Sequence, residues 1–197
     1  MKTKFTSTTV QKRLLINKAG KNNYQNPDCV NHLLRYIARE NGSSKNDLIC
    51  CGAIGATDFT DIDTTIQQFK YIHDCYEHKG AFGRYMDHEI FSFSPSVETI
   101  LKTDMNFTAD LARKLAMDFY DNEFQVYYGV HKKDNNSSGM HIHFATNTVS
   151  FRTKKKRHEN IYATKAREER LTKIVNDSVQ NYLSDTQKNV QKKFPDR

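Results

Sequence analysis

Residues 139–149 read Gly-Met-His-Ile-His-Phe-Ala-Thr-Asn-Thr-Val, with His141 and His143 on either side of one bulky apolar residue. In a β-strand alternate side chains share a face, so the two imidazoles point together one way while Ile142 and Phe144 point the other, into a core. Upstream, residues 124–131 read Phe-Gln-Val-Tyr-Tyr-Gly-Val-His, with Val126, Tyr128 and Val130 on one face and His131 on the opposite one. Polar and glycine residues at 132–139 join the two stretches, and an antiparallel hairpin brings His131 beside His141 and His143. Three neutral imidazoles so placed can hold one divalent cation with coordination positions left open, the arrangement of a catalytic metal rather than a structural one. A His-x-His pair alone is weak evidence. The third histidine, one hairpin away on the matching face, is what argues for a site.

Working outward, Asn26-Pro27-Asp28 has the form of a helix start, with Asn as N-cap, Pro at the first position and an acid in the first turn. Val30, Leu33, Leu34, Ile37 and Ala38 then recur at helical spacing as one buried stripe, ending before Asn41-Gly42. At about 100° per residue, Tyr36 falls roughly 120–140° from the middle of that stripe, beside His32 and Arg39. From spacing alone it is an ordinary surface tyrosine. Strands are expected around Leu14-Leu15-Ile16, over 48–55, and over 86–95, where Pro95 stops the alternation. Helices are expected over 63–77 and over 108–120, the second capped by Thr108 and burying Leu111, Leu115 and Phe119. The basic run Lys154, Lys155, Lys156 and Arg157 follows the histidine strand, either as a solvated loop or as a grip for phosphates. Residues 163–194 read as one or two amphipathic helices. The order of elements suits an α+β fold, a central antiparallel β-sheet with helices packed on one side. Residues 1–162 form the main unit, and 163–197 a helical C-terminal extension of the same domain.

The composition is polar but globular, with 37% hydrophobic and 27% charged residues over 197 positions. A formal net charge of +7 favours a polyanionic partner such as nucleic acid. No apolar run is long enough to span a bilayer or act as a secretory signal, so a soluble, cytoplasmic protein is expected. Cys29, Cys50, Cys51 and Cys75 have neither Cys-x-x-Cys spacing nor a secreted disulfide framework, and read as reduced thiols.

Three motifs give the chain a recognisable likeness. The first is the helix segment Leu33-Leu-Arg-Tyr36-Ile; the second is the strand His88-Glu-Ile-Phe-Ser92-Phe93 followed by Ser-Pro; the third is His131, Asp134, His141, His143 and Asn147. With these, residues from about 26 to about 157 resemble the relaxase/mobilization nuclease family, the HUH single-strand endonucleases of conjugative transfer. Two positions depart from the family pattern. Asp134 comes one residue later than the usual His-x-Asp, with Lys133 in the expected place, and a frequent Gly-Lys-Lys is here Thr153-Lys154-Lys155.

The resemblance implies a metal-dependent enzyme that nicks one DNA strand at a transfer origin. Tyr36 would be the nucleophile and form a 5′-phosphotyrosine intermediate, and the strand would later be rejoined. It implies His131, His141 and His143 as metal ligands, Asp134 and Asn147 as supporting residues, and Ser92 with Lys154, Lys155, Lys156 and Arg157 as DNA contacts. The metal implied is Mn²⁺ or Mg²⁺, although imidazole ligands by themselves also suit Zn²⁺. The implied partners are single-stranded DNA, a transfer-origin hairpin, accessory relaxosome proteins and a coupling protein. Rolling-circle initiators and HUH transposases share the histidine pair but usually carry their tyrosine after it, the place of Tyr162 or Tyr182 here. Further alternatives are a zinc hydrolase with no covalent step and a non-catalytic DNA-binding module.

Overall fold

Five short stretches form five strands of one sheet. The computed structural model describes residues 15–19, 24–40, 45–57, 60–76, 83–132 and 139–193. Its strands are β1 (Leu15–Ala19), β2 (Leu48–Ile54), β3 (Met86–Ser92), β4 (Val126–His131) and β5 (His141–Asn147). Its helices are α1 (Cys29–Ile37), α2 (Ile62–Asp74), α3 (Pro95–Thr103), α4 (Met105–Asp121) and α5 (Ile161–Lys193). The spatial order is β1-β3-β5-β4-β2, and every neighbouring pair is antiparallel. The expected hairpin is the β4–β5 pair, in which His131 lies opposite His141 and Gly129 opposite His143. β5 is the central strand, covered by β3 on its other edge.

The sheet is covered on both faces, not on one as the order of elements suggests. Val126, Tyr128, Val130, Ile142, Phe144 and Phe91 point to one face, where α3, α4 and α5 bury Val97, Leu111, Leu115, Phe119, Leu171 and Val175 against them. Tyr127, Ala145 and Met86 point to the other, where α1 and α2 contribute Val30, Leu34, Ile37, Ile66 and Phe69. Single alternating strands cannot reveal this, because a face lined by histidine, alanine and glycine looks solvated in sequence yet is shallow enough for a helix to settle on.

Three local expectations are corrected. Pro95 does not merely stop β3: it is the first residue of α3, with Ser94 as its N-cap, and its fixed φ suits that place. The cap of α4 is Asp104, whose carboxylate accepts from the amides of Asn106 and Phe107, while Thr108 is buried and bonds the Leu101 carbonyl. Asn26 sits ahead of α1 in a turn, its side chain accepting from the Asp28 amide, and Asp28 is the N-cap. The C-terminal segment is one continuous helix, α5. It is fastened by a buried two-pronged pair in which Arg167 donates from Nη1 and Nη2 to the two Glu89 oxygens at 2.6 and 2.7 Å. Among the described residues no helix is long and apolar enough to cross a membrane, and all four cysteines are free thiols.

Candidate active site

The three histidines of the hairpin converge on the α1 face of the sheet, each offering one ring nitrogen, and these atoms all lie within 4.8 Å of one another. Which nitrogen each offers follows from what the other one does. His131 donates from Nε2 to the Ile37 carbonyl at the end of α1, at 2.8 Å, and His141 donates from Nδ1 to the Gly139 carbonyl at 3.0 Å. His143 bonds His88 Nε2 through its Nδ1 at 2.8 Å. That leaves His131 Nδ1, His141 Nε2 and His143 Nε2 facing inward. Among the described residues His131 Nδ1 and His143 Nε2 are buried without a hydrogen-bond partner. Leaving such groups unpaired in the interior costs free energy, so two orphaned ring nitrogens aimed at one point fit a cation.

Burial holds these rings neutral. It pushes His131 and His88 down to about 4, and drives His143 lower still, where the neighbouring His131, His88 and His141 oppose a positive charge as well. Neutral imidazole is the form that binds a metal. His131 and His143 are 0% and 2% exposed while His141 is partly open, so the site has one accessible side.

Tyr36 stands at that opening. It is 46% exposed, and its ring lies edge-on at 5.6 Å from His143 and 6.2 Å from His88, centroid to centroid. Two features set its position. Gly129 on β4 lets the end of α1 lie directly on the strand, since a Cβ there would come within 2.6 Å of Ile37 Cγ2 and 2.9 Å of the Ile37 carbonyl. Just past the helix, Arg39 takes a left-handed backbone (φ 57°), the position after a C-cap normally given to glycine. Its guanidinium carbon lies 5.0 Å from the Tyr36 ring centroid, and its Nε bonds Asp47 at 3.0 Å. The imidazoles of His143 and His88, the Arg39 guanidinium and the exposed Tyr36 phenol therefore lie side by side.

A family model described as a relaxase of the MobA/VirD2-like type, nuclease domain, matches residues 36–182, from the tyrosine to well within α5. The chain belongs to the MobA/VirD2-like relaxase family. Among solved structures it is similar to the MobM relaxase domain (MOBV; Mob_Pre), solved Mn-bound at pH 6.8 in complex with plasmid pMV158 oriT DNA. The TM-score is 0.53 and the identity 14%, over 84% of this chain and 86% of that one. At that identity the likeness speaks for the fold. No curated protein sequence matches the chain significantly.

The remaining expected residues of this relaxase domain fall into three groups. Ser92 pairs with His141 across β3–β5 and so shares the face of the triad. Asn147 is on the same strand face but four residues beyond His143, roughly 13 Å away; there its amide donates to the Phe69 carbonyl and to Gln125, tying α2 to the sheet. Asp134 lies outside the described residues. The basic run is not brought to the triad: it follows the far end of β5, roughly 20 Å from His141 by strand rise. Arg157 is partly buried there, donating to Asp87 at 3.0 Å and packed on the rings of Phe119 and Phe124. Lys154 donates to the Phe151 carbonyl at 2.7 Å, Lys156 to the Arg84 carbonyl, and Lys155 alone of the four is exposed.

From the sequence, Tyr24, just ahead of α1, is the main competitor of Tyr36 as nucleophile; His88, although the first residue of the second motif, has no signal that marks it as a neighbour of the site. Its link to His143 depends on the β3–β5 register, which one sequence does not disclose.

Proposed function

We propose that this relaxase domain nicks one DNA strand at a transfer origin through a metal-assisted attack by Tyr36, and later rejoins it, to start mobilization of a plasmid or integrative element. The observation that carries the reading is the convergence of three ring nitrogens beneath an exposed tyrosine, with His131 Nδ1 and His141 Nε2 left as acceptors by the carbonyls on their partner nitrogens. His131 Nδ1, His141 Nε2 and His143 Nε2 would hold the cation, Mn²⁺ or Mg²⁺ with Zn²⁺ as the alternative. A bound divalent cation would polarise the non-bridging oxygens of the scissile phosphate and ease departure of the 3′ oxygen. The MobM domain, solved with manganese and oriT DNA, supports both the metal and the substrate class.

Tyr36 gives up its phenolic proton as its Oη bonds to phosphorus, the bond from phosphorus to the 3′ oxygen breaks, and the departing oxygen takes up a proton. A 5′-phosphotyrosine link and a free 3′-hydroxyl result, and the energy of the phosphodiester is retained for the reverse step. Arg39, held by Asp47, supplies positive charge beside the phenol. Ser92, opposite His141, would contact the DNA backbone.

One observation favours a second nucleophile: Tyr24 Oη lies 2.9 Å from His88 Nδ1, a hydrogen bond of the kind a base makes. Against it, burial raises the Tyr24 phenol above its ordinary range, with Cys29 and Tyr36 adding to the effect. The test is incubation with single-stranded transfer-origin DNA and Mn²⁺, followed by a denaturing gel and peptide mapping of the adduct. A DNA-linked peptide containing Tyr36, lost in Tyr36→Phe, is expected. A linked Tyr24, or parental nicking by Tyr36→Phe, would overturn the assignment.

A further inference from the structure

Behind the metal-facing nitrogens runs a second line of contacts that the nicking reaction as described does not use. His88 stacks on His143 with ring centroids 5.1 Å apart and planes 26° from parallel, and its Nε2 lies 2.8 Å from His143 Nδ1. Its other nitrogen, Nδ1, lies 2.9 Å from Tyr24 Oη. Tyr24 is held in turn by its backbone carbonyl, which accepts from the Tyr85 amide at 2.7 Å, immediately ahead of β3. The phenol and the two imidazoles thus form one chain of three hydrogen-bonding groups ending at His143 Nε2, which is buried without a partner among the described residues.

Each neutral imidazole carries one N–H, so the chain has only two self-consistent directions. In one, Tyr24 donates to His88 Nδ1, His88 donates from Nε2 to His143 Nδ1, and His143 carries its hydrogen on Nε2. In the other, His143 donates from Nδ1 to His88 Nε2, His88 donates from Nδ1 to Tyr24 Oη, and His143 Nε2 is a bare lone pair. Only the second direction leaves an acceptor for a cation. No net charge changes between them; the hydrogens alone are relayed.

We infer that His88 and Tyr24 are positioning residues which lock His143 in its metal-binding tautomer, so that cation binding turns the whole relay toward Tyr24. The inference rests on the metal reading above. It carries a consequence for the chemistry: with the relay turned outward, His88 presents an N–H to Tyr24 and cannot take its proton. The cation then selects Tyr36 over Tyr24, although both phenols lie against the same imidazole.

The full chain is tested by titration calorimetry with MnCl₂. Removing an outer partner of a metal-bound histidine typically weakens binding about 10- to 100-fold, and that loss is expected for His88→Ala. His88→Gln should recover most of it, because the Gln Oε1 can stand where Nε2 did and accept from His143 Nδ1. Tyr24→Phe, which removes one oxygen, should weaken binding by a smaller factor. Independently, ¹⁵N-histidine spectra of the parent loaded with diamagnetic Zn²⁺ should show both His143 and His88 protonated at Nδ1, a signature that a merely space-filling role would not require. This measurement needs no variant to fold. His88→Ala binding Mn²⁺ with parental affinity, or His143 protonated at Nε2 in the Zn²⁺ form, would overturn the relay while leaving the metal site standing. A parent chain that binds neither ion would instead remove the metal reading itself.

Discussion

The two faces of β5 are built from adjacent residues and obey different rules. Ile142 and Phe144 enter a core where Phe144 lies 4.5 Å from the Phe91 ring and 5.3 Å from Phe119, a packing whose stabilisation comes from the area it removes from water. His141 and His143, one residue away, enter a space where polar nitrogens are buried without partners. The first face is filled by packed apolar side chains, with a single hydroxyl, Thr146 Oγ1, buried on β5 without a partner among the described residues; the second gathers two such nitrogens, His131 Nδ1 and His143 Nε2, around one point. A single strand can therefore be both the centre of the fold and the floor of the site, because its period of two keeps the two tasks from sharing a side chain.

The sharpest break of this comparison is a pair of neighbouring substitutions. Phe144→Ala should cost about 3–5 kcal/mol of stability, the usual penalty for truncating a buried aromatic, and should be read in urea unfolding as a large shift of the midpoint. His143→Ala should leave the unfolding midpoint near the parental value, since it removes an orphaned polar atom as well as a ring. It should nevertheless abolish Mn²⁺ binding and nicking. Equal destabilisation by both would mean that the histidine face is simply a second core.

Acid should separate the faces in order. Folded His131, His88 and His73 titrate at about 4, held there chiefly by burial, while unfolded histidine titrates near 6.5. Between those values the unfolded chain binds protons that the folded one refuses, so the contribution of these groups is full above about 6.5 and is lost as pH falls toward 4. The opposite face is fastened by carboxylates. Burial pushes Glu159 up, but hydrogen bonds from Arg167 and the charges of Arg157 and Arg167 hold it down at about 2. Its contribution persists above its ordinary 4.5 and is lost only as pH falls toward 2. Hydrogen exchange should accordingly show α1 and α2 losing protection between pH 6.5 and 4, with α4 and α5 following at lower pH. Simultaneous loss would contradict the assignment of the groups to separate faces.

The histidine hairpin was legible because its signal is local: period two on either side of a polar connection predicts the shared face and the antiparallel pairing, while the register, His131 opposite His141, comes from the structure. Tyr36 was legible as the residue outside its helix's apolar stripe, though not why it stands over the triad; that depends on Gly129 letting α1 settle on β4. The helix α3 had a readable start in Ser94-Pro95 and apolar spacing at Val97, Ile100 and Leu101, but a proline ending one element can also begin the next. What could not be read were partnerships across long separations. Arg167 finds Glu89 from 78 positions away and His143 finds His88 from 55, and no spacing rule relates them.

The smallest expected effect concerns the basic run, where a solvated surface and a buried brace look identical in sequence. Four phosphate contacts on single-stranded DNA would contribute about 2–3 units to the slope of log affinity against log salt. The fold leaves much less available. Arg157 is committed to Asp87 and two aromatic rings, Lys154 and Lys156 to backbone carbonyls, and burial followed by the nearby Arg84 lowers Lys156 to about 8. Only Lys155 is exposed, and it stands at the end of β5 away from the histidines. Lys155→Ala should therefore change the salt slope by at most about 0.7, the value for one phosphate on a single strand. Arg157→Ala should leave the slope nearly untouched and lower the melting temperature instead, because it removes one of the two guanidinium groups that hold the buried Asp87, leaving Arg84 alone on it, and uncovers the Phe119 and Phe124 rings. A slope change of about 1.4 for Lys155→Ala and Arg157→Ala combined, the value for two phosphates, with melting unaltered, would show that the loop releases its side chains to bind DNA and that the brace is not maintained in the complex.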